Sequence, residues 1–395
     1  LTFYSRANGN WTTASNWSTI GYGGSPASEY PGQTTPNFRA YIGNGNSITM
    51  NQNITINNSP TGDTCWVQVD SSGYLNFDTY LLTGTGAFRL AKDGAIQTNH
   101  PECFRATGAF GNVRTSIRDY NFGNHGRGHF VYGGSSNQTQ NNEALPNNVA
   151  SVRVNKTANS VTFNRSVTIA DSLYIQSGSL TLGANLTING NIRRNSGAGF
   201  SPGTTTITIS GAQGDTITNL DSNPLNFYNL TIAKNSGTGS VVLASNTAIL
   251  ITNQLTFSTS GTNKSIIEAQ SWKGAYVQIA NGASVLNASI SRGWIYGDLR
   301  KWIPAGDAPA ITFEVGDSLR YSPFMIDFRS GTNNGTAGYL SVEVFPGVHP
   351  YMDLTYNPPV APNRLIGPKW WRLKQPQGST FQRGNRNFDP RAYFQ

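Results

Sequence analysis

Residues 160–192, "SVTFNRSVTIADSLYIQSGSLTLGANLTINGNI", contain apolar residues in pairs, with one residue between the two members of each pair. The pairs return every six or seven residues, and Asn, Ser and Gly are frequent in the gaps. They are Val161/Phe163, Val167/Ile169, Leu173/Ile175, Leu180/Leu182 and Leu186/Ile188. Alternate side chains of a strand share a face, whereas a helix needs apolar residues three and four apart. The stretch therefore predicts short strands, each burying two side chains, joined by tight polar corners.

The same pattern occurs on both sides of this stretch. On the N-terminal side the pairs are Ala40/Ile42, Ile48/Met50, Ile54/Ile56, Val67/Val69 and Leu75/Phe77. On the C-terminal side they are Leu230/Ile232, Val241/Leu243, Ile249/Ile251 and Leu255/Phe257. The C-terminal set matches residues 152–175 with a shift of about 80 residues, and small corner insertions account for the drift of that shift. A repeat of this kind predicts a solenoid whose coils bury one another's apolar faces.

We therefore predict an all-β chain, a parallel β-helix (solenoid) followed by a β-sandwich-like module. The predicted domains are an N-terminal cap with the first coils (residues 1–125), the β-helix repeats (126–299) and the β-sandwich-like module (300–395), which we expect to be truncated. Phe3, Trp11 and Trp17 are expected to cover the first coil, because an open β-helix end invites edge pairing. A β-sandwich throughout is the alternative, since it also uses short alternating strands.

Composition and charge narrow the classes of partner. Only 12% of the residues are charged, against roughly 25% in an average globular domain, and the net charge of +8 comes from a shortage of acids. The basic residues are scattered, whereas nucleic-acid-binding proteins concentrate them on one face. We therefore expect no nucleic-acid partner, and favour attraction to acidic polysaccharide or an anionic cell surface. No apolar run reaches the roughly 18 residues of a membrane span.

The sequence contains no recognisable catalytic or metal-binding motif. Glu314 and Asp317 are close in sequence but fall on a strand and the turn after it, so they do not form the paired carboxylates of a glycosidase. His100, His125 and His129 lie near one another in sequence, without the helical spacing of a zinc motif. We predict no enzyme, no catalytic residue, no metal and no cofactor. A carboxylate pair assembled from adjacent coils stays open as the alternative.

Two features point to covalent modification. The triplets Asp171-Ser172-Leu173, Asp215-Thr216-Ile217 and Asp317-Ser318-Leu319 resemble the O-glycosylation motif of Bacteroidota surface and periplasmic proteins, which makes Ser172, Thr216 and Ser318 candidate sites. The same triplet also arises by chance where a strand follows a polar corner. Cys65 and Cys103 either form a disulfide, which contributes about 3–4 kcal/mol in the loop-entropy model, or are two buried thiols.

Several stretches together resemble one protein family. "FYSRANGNWTTASNWS" (3–18), "SGSLTLGANLTINGNI" (177–192) and "FEVGDSLRYSPFMIDF" (313–328) resemble, in turn, the mature N-terminus, the repeats and the following module of that family. It comprises large repetitive β-helical cell-surface or adhesin-like proteins that Bacteroidota export by the type IX secretion system. The resemblance implies an extracellular or cell-surface location and brings no catalytic residues. The family's C-terminal sorting domain is not recognisable here, which leaves the export route open.

We therefore expect a secreted cell-surface structural or adhesive protein that assembles into extracellular fibres or surface layers. Its expected partners are other copies of itself, other cell-surface proteins or polysaccharide. The candidate binding residues are Tyr351, Trp370, Trp371 and Arg372, because exposed Trp and Tyr stack on sugar rings or anchor interfaces. Packing of these residues inside the last module is the alternative. An extracellular carbohydrate-binding protein, or a β-helical polysaccharide lyase or hydrolase, is the alternative function.

Overall fold

The structure, a computed structural model, describes residues 1–141, 145–235, 239–258, 264–306, 310–327, 335–347, 369–383 and 389–392. The chain divides into two compact units, Leu1–Ile207 and Thr208–Gln395. The described ranges consist of strands with two short 3-10 helices and contain no α-helix. The prediction of an all-β chain is confirmed. The division falls inside residues 126–299, and the predicted boundaries at 125 and 299 stay predictions.

The first unit contains one short 3-10 turn, Ala14–Asn16, which lies between its second and third strands. Its strands are β1 (Thr2–Ser5), β2 (Gly9–Asn10), β3 (Trp17–Ser18), β4 (Arg39–Ile42), β5 (Ser47–Thr49), β6 (Ile54–Thr55), β7 (Trp66–Val69), β8 (Tyr74–Asn76), β9 (Leu82–Leu90), β10 (Ala95–Thr98), β11 (Val113–Asp119), β12 (His129–Tyr132), β13 (Gln138–Gln140), β14 (Asn148–Phe163), β15 (Val167–Leu182), β16 (Leu186–Ile188), β17 (Asn191–Arg194) and β18 (Gly199–Ser201). Strand β19 (Thr206–Ile209) crosses the boundary between the units.

The second unit contains the other 3-10 turn, Ser271–Lys273. Its strands are β20 (Asp215–Asn219), β21 (Leu225–Ile232), β22 (Ser240–Leu243), β23 (Ala248–Phe257), β24 (Ser265–Ala269), β25 (Tyr276–Ile279), β26 (Ser284–Leu286), β27 (Gly293–Gly297), β28 (Leu299–Ile303), β29 (Ile311–Phe313), β30 (Phe324–Asp327), β31 (Gly338–Pro346), β32 (Lys369–Lys374) and β33 (Asp389–Ala392).

Parallel pairing dominates the first unit. One sheet runs through β2, β5, β8, β10, β12, β14, β15 and β17. Its register sets buried side chains opposite each other, so that Ile96 lies between Leu75 and Phe130. All three are 0% exposed. This register places a continuous stack of apolar side chains on the inner face of the sheet. Burying one such side chain contributes about 1.5–3 kcal/mol to folding.

A second parallel sheet passes through β1, β4, β7, β9 and β11, and the short β3 pairs antiparallel with the other side of β1. Phe3, Trp11 and Trp17, which we expected over the first coil, are buried together with Phe38. The ring centroids of Trp11 and Trp17 are 4.9 Å apart, and the indole N–H of Trp17 donates to the carbonyl of Trp11. The aromatic N-terminus therefore forms a compact group beside the first strands.

The apolar pairs of the 160–192 segment are buried as predicted, but the strands that carry them are longer than predicted. All ten paired apolar residues of the 160–192 segment are no more than 3% exposed. Instead of separate short strands, however, β14 and β15 are each 16 residues long. Their corners keep pairing through register shifts near Asn155, which faces Ser177. Where two such corners are neighbours, their backbones can continue the hydrogen bonding of the sheet. Each corner is then a bulge within one long strand and does not end the strand.

Asn and Gly occupy the corners for conformational reasons. Nine described non-glycine residues have positive φ, and five of them are Asn, the residue that tolerates the left-handed region best after Gly. Gly190 is needed for a different reason, since an added Cβ would lie 1.9 Å from the carbonyl oxygen of Asp171. The corners thus depend on backbone geometry that larger residues would strain.

The second unit also begins with parallel pairing. One row joins β20, β22, β24 and β27, and another joins β21, β23, β25 and β28. β28 is parallel to β25 on one side and antiparallel to β31 on the other, and the strands after it pair antiparallel, in the sheet β28–β31–β32 and in the sheet β29–β30–β33. This change of pairing lies at β28 (Leu299–Ile303), where the predicted last module begins.

The two copies of the internal repeat pair alike. In the first copy Val152 faces Leu173, and in the second the matched residues Leu230 and Leu255 face each other. The repeat found in the sequence therefore corresponds to a repeat of sheet register.

Candidate functional site

Aromatic side chains from three neighbouring strands and from the segment after β3 form a continuous row on the outer face of the sheet β1–β4–β7–β9. The row consists of Tyr22, Tyr4, Tyr41 and Trp66, and we call it the aromatic row. Tyr4 stacks on Tyr41 with 5.2 Å between centroids and contacts Tyr22 edge-on at 5.4 Å. Tyr41 in turn meets the edge of Trp66 at 6.0 Å. Because Phe3, Ala40 and Val67 point inward, alternation along the strands turns these rings outward.

Two arginines enclose the last ring of the aromatic row. Arg39 on β4 places its guanidinium carbon 4.6 Å from the centroid of Trp66, and Arg89 on β9 places its own at 4.4 Å. Arg89 also lies over Phe122, at 4.8 Å. Since β7 lies between β4 and β9, the indole has a cation from the strand on each side. Such contacts contribute about 0.5–1 kcal/mol each at exposed sites.

The other end of the aromatic row is polar. The Tyr22 hydroxyl donates to Asp70 Oδ2 at 2.5 Å, and the Gln68 amide donates to Asp70 Oδ1 at 2.6 Å. Burial and the hydrogen bond to Asp70 hold the pKa of Tyr22 well above its usual value. The phenol therefore stays protonated and keeps donating across the physiological pH range.

A second cation–aromatic group lies on the outer face of the long parallel sheet. Arg153, Tyr174 and Arg193 stand directly in register on β14, β15 and β17. The guanidinium carbons lie 5.3 Å and 5.2 Å from the Tyr174 centroid. Arg153 Nε donates to Gln176 at 2.7 Å, and Asn195 donates to the Tyr174 hydroxyl at 3.1 Å. Both arginines are exposed.

Neither group was among the site residues expected from the sequence. A usable signal exists, however, because the residue between two buried members of a pair must point outward. Tyr41, Arg153 and Tyr174 all occupy that middle position. Which outward residues become neighbours depends on the strand register, and the sequence spacing does not give it.

The predicted binding residues Trp370, Trp371 and Arg372 lie on β32, half-buried, and point to alternate faces. Trp370 stacks on Phe345 at 4.2 Å, and Arg372 pairs with Glu343 at 2.6 Å on the same face. The Trp371 indole instead donates to the carbonyl of Ser322. Trp370 and Arg372 are thus brought together, and Trp371 is turned away. Tyr351 lies outside the described residues.

The three glycosylation triplets differ in accessibility. Each aspartate is held by a cation, in the pairs Asp171–Arg127 (2.9 Å), Asp215–Lys234 (2.5 Å) and Asp317–Lys369 (2.9 Å). Ser172 and Thr216 lie half-buried inside strands, whereas Ser318 is exposed in a turn. Of the three hydroxyl groups, that of Ser318 is the most accessible.

Cys65 and Cys103 are separate buried thiols in this structure, as in the second of the two alternatives, and the disulfide stays a prediction. Cys65 precedes β7, and Cys103 lies in the loop after β10 with a left-handed backbone. Burial raises the pKa of Cys103 to about 12. Each sulfur lies 4.0 Å from a carbonyl oxygen two residues earlier, that of Asp63 or Pro101.

The residues considered for catalysis and metal binding have structural partners. Glu314 is paired with Lys301 at 2.7 Å, and Asp317 is paired with a different lysine, Lys369, at 2.9 Å. His100 and His125 each accept a backbone N–H two residues on. Within the described ranges, no three His, Cys, Asp or Glu residues are grouped so as to hold a metal ion.

Comparison with known proteins gives no match among family models, curated proteins or solved structures. In the part of the chain that the structure describes, no helix has the length and apolar character that crossing a membrane requires.

Proposed function

We propose that both units are built on a parallel β-helix and that the protein is a secreted cell-surface structural or adhesive protein. The parallel registers and the stacked apolar pairs support the β-helix. The antiparallel sheets after Leu299 support a β-sandwich-like last module. In this proposal the protein follows the secretion route of the family it resembles, and its partners are further copies, other surface proteins or polysaccharide.

The aromatic row is the observation that carries the adhesive role. Tyr4, Tyr41 and Trp66 stand on neighbouring strands about 4.8 Å apart, so the exposed edges of these half-buried rings form a contact strip on a rigid sheet. Tyrosine and tryptophan give large contact areas at a low cost in side-chain entropy. Such a strip suits adhesion to an extended partner better than capture of a small molecule.

A carbohydrate-binding protein is the second candidate. The stack of Phe345 on Trp370 beside Arg372 supports it, since it combines an aromatic surface with a cation on one sheet face. A lyase or hydrolase has less support, because Glu314 and Asp317 are each held by a lysine.

Immunogold electron microscopy on the producing cells tests the location, and attachment of protein-coated beads to those cells tests the adhesion. We expect gold on the cell surface and bead attachment that falls in the Tyr4→Ser/Tyr41→Ser variant. Ile20→Ser is the matched control, because Ile20 is 78% exposed but lies outside the aromatic row. Protein found free in the medium, with no gold on cells, would overturn the proposal.

A further inference from the structure

The first unit contains the same three-residue arrangement on two different outer faces. In each, an aromatic ring on one strand lies between two guanidinium groups from the strands on either side. We call these the arginine stacks, and they are Arg39–Trp66–Arg89 and Arg153–Tyr174–Arg193, with ring-to-cation distances of 4.4–5.3 Å.

The arginines of these stacks lack acidic partners. Among the described residues, no carboxylate oxygen lies within ion-pair distance of any of the four guanidiniums. By contrast, Arg127 in the same unit is bracketed by Asp93 at 3.0 Å and Asp171 at 2.9 Å. The four stack arginines therefore differ from Arg127 in carrying charge that no carboxylate compensates, with Arg153 and Arg193 exposed and Arg39 and Arg89 half-buried.

The stacks also limit the chemistry of a ligand. With a guanidinium over the ring from each side, neither Trp66 nor Tyr174 offers the open face on which a nucleic-acid base stacks. Arg39 Nε donates to the carbonyl of Thr64, Arg193 Nε donates to Asn195, and Arg153 donates to Gln176 through Nε and Nη2. The outer N–H bonds of Nη1 and Nη2 are the groups that remain, and this planar fork fits a carboxylate bidentately. The two arginines of a stack stand two strand spacings apart, about 10 Å. A linear polymer with repeated carboxylates reaches both, whereas a small anion engages one.

We propose that the arginine stacks bind a linear acidic polysaccharide through its carboxylates. The inference rests on the proposed function, for which it names the chemical class of the adhesive ligand. The net charge of +8 adds a general attraction to such a polymer. The stacks supply the specific contacts, and the rigid sheets hold them at a fixed spacing.

The test uses the full chain and three immobilised probes, namely polygalacturonate, neutral dextran and duplex DNA. We expect binding to polygalacturonate that weakens with salt, no binding to dextran, and weaker binding to DNA. The variants Arg39→Gln/Arg89→Gln and Arg153→Gln/Arg193→Gln should each lower the affinity for polygalacturonate roughly tenfold. Arg153→Lys/Arg193→Lys should lose less, because it keeps the charge but not the planar fork.

Lys92→Gln/Arg292→Gln is the control of equal charge, since both residues are exposed and lie outside the stacks. An equal loss of affinity in this control, tighter binding to DNA, or no binding to polygalacturonate would each overturn the inference. Gold on the cell surface without polygalacturonate binding refutes the ligand and leaves the proposed function standing. Polygalacturonate binding by a protein absent from the cell surface refutes the proposed function and leaves the binding site standing.

Discussion

Lys156 and Lys234 occupy the same position in the two copies of the internal repeat, and both side chains are buried. Each lies two residues after the second member of a buried apolar pair, Val154 in one copy and Ile232 in the other. Both lysines are about 1% exposed. A buried lysine is rare without a partner, so an equivalent pair indicates a structural role that both copies share.

The acceptors of the two lysines differ in charge. Lys156 Nζ donates to two backbone carbonyls and to the amide oxygen of Gln138, at 2.8 Å. Lys234 Nζ donates to one backbone carbonyl and to the carboxylate of Asp215, at 2.5 Å. Burial lowers the pKa of Lys156 from its usual value. The second copy therefore uses an ion pair where the first copy uses neutral acceptors.

Replacing Asp215 by Asn should destabilise the protein by about 3–5 kcal/mol, because the ammonium of Lys234 would stay buried without its counter-charge. Urea denaturation followed by tryptophan fluorescence measures the change. Asp63→Asn is the control, since Asp63 is exposed, and it should change the free energy of unfolding by less than about 0.5 kcal/mol. A similarly small effect of Asp215→Asn would show that the ion pair contributes little.

Replacing Gln138 by Glu should also destabilise the protein, by about 1–3 kcal/mol, although it brings a carboxylate to Lys156. The reason is that Gln138 Nε2 donates to the carbonyls of Thr98 and His100, at 3.1 Å and 3.2 Å. A glutamate would set an oxygen against both carbonyls. Gln138→Glu/Lys156→Met, which also removes the cation, should be less stable still. An increase in the urea midpoint of Gln138→Glu would contradict this account.

The sequence predicts the buried side of the molecule better than its outer face. Val161 and Phe163 are recognisable because a strand alternates and the pair spacing repeats. The burial of Lys156 and Lys234 is not evident from the sequence, because a lysine just after a strand is ordinarily exposed to solvent in a polar corner. Their equivalence was visible in the repeat alignment, but their burial depends on carbonyls from an earlier stretch of the chain.

The candidate site could not be located from the sequence for a related reason. Tyr4, Tyr41 and Trp66 come from three strands that have other strands and connecting segments between them in the sequence. Their contact follows from the register of β1, β4 and β7, and loop lengths do not give that register. Local patterns therefore identify which residues face outward but not which of them meet.

Acidification should destabilise the protein through His129. Burial lowers the pKa of His129 below its usual 6.5, and Arg127 acts in the same direction, while Asp171 and Asp93 oppose both. Between the lowered pKa and pH 6.5 the unfolded state binds a proton that the folded state does not, so stability rises with pH through this window. The contribution of His129 to the free energy of unfolding is therefore complete above pH 6.5, and it is lost as the pH falls from 6.5 toward the lowered pKa.

Urea midpoints at pH 7 and pH 5 measure this dependence. The His129→Gln variant should lose less stability than the wild type between the two pH values. Burial also lowers the pKa of His100, so His100→Gln/His129→Gln should flatten the dependence further. An unchanged pH dependence in the double variant would contradict the assignment to these histidines.

If the protein is O-glycosylated, the sugar should be on Ser318 rather than on Ser172 or Thr216. Asp317 Oδ1 accepts the backbone N–H groups of Leu319 and Arg320, at 2.7 Å and 2.8 Å, which fixes the turn. Although burial raises the pKa of Asp317, Lys369 and these N–H groups outweigh it and keep the carboxylate ionised. Ser318 is exposed and Leu319 is 72% exposed, so these two residues of the triplet are accessible to an enzyme in the folded protein, whereas Asp317 is buried.

Peptide mass spectrometry of protein from the producing cells locates the sugar. Ser318→Ala should remove the mass increment, whereas Thr216→Ala should leave it in place. Because Ser318 is exposed in a turn, its replacement by Ala should change stability by less than about 0.5 kcal/mol, so a loss of glycan would not reflect misfolding. A glycan found on Thr216 would mean that modification takes place before β20 is paired, since the strand half-buries this hydroxyl in the folded chain.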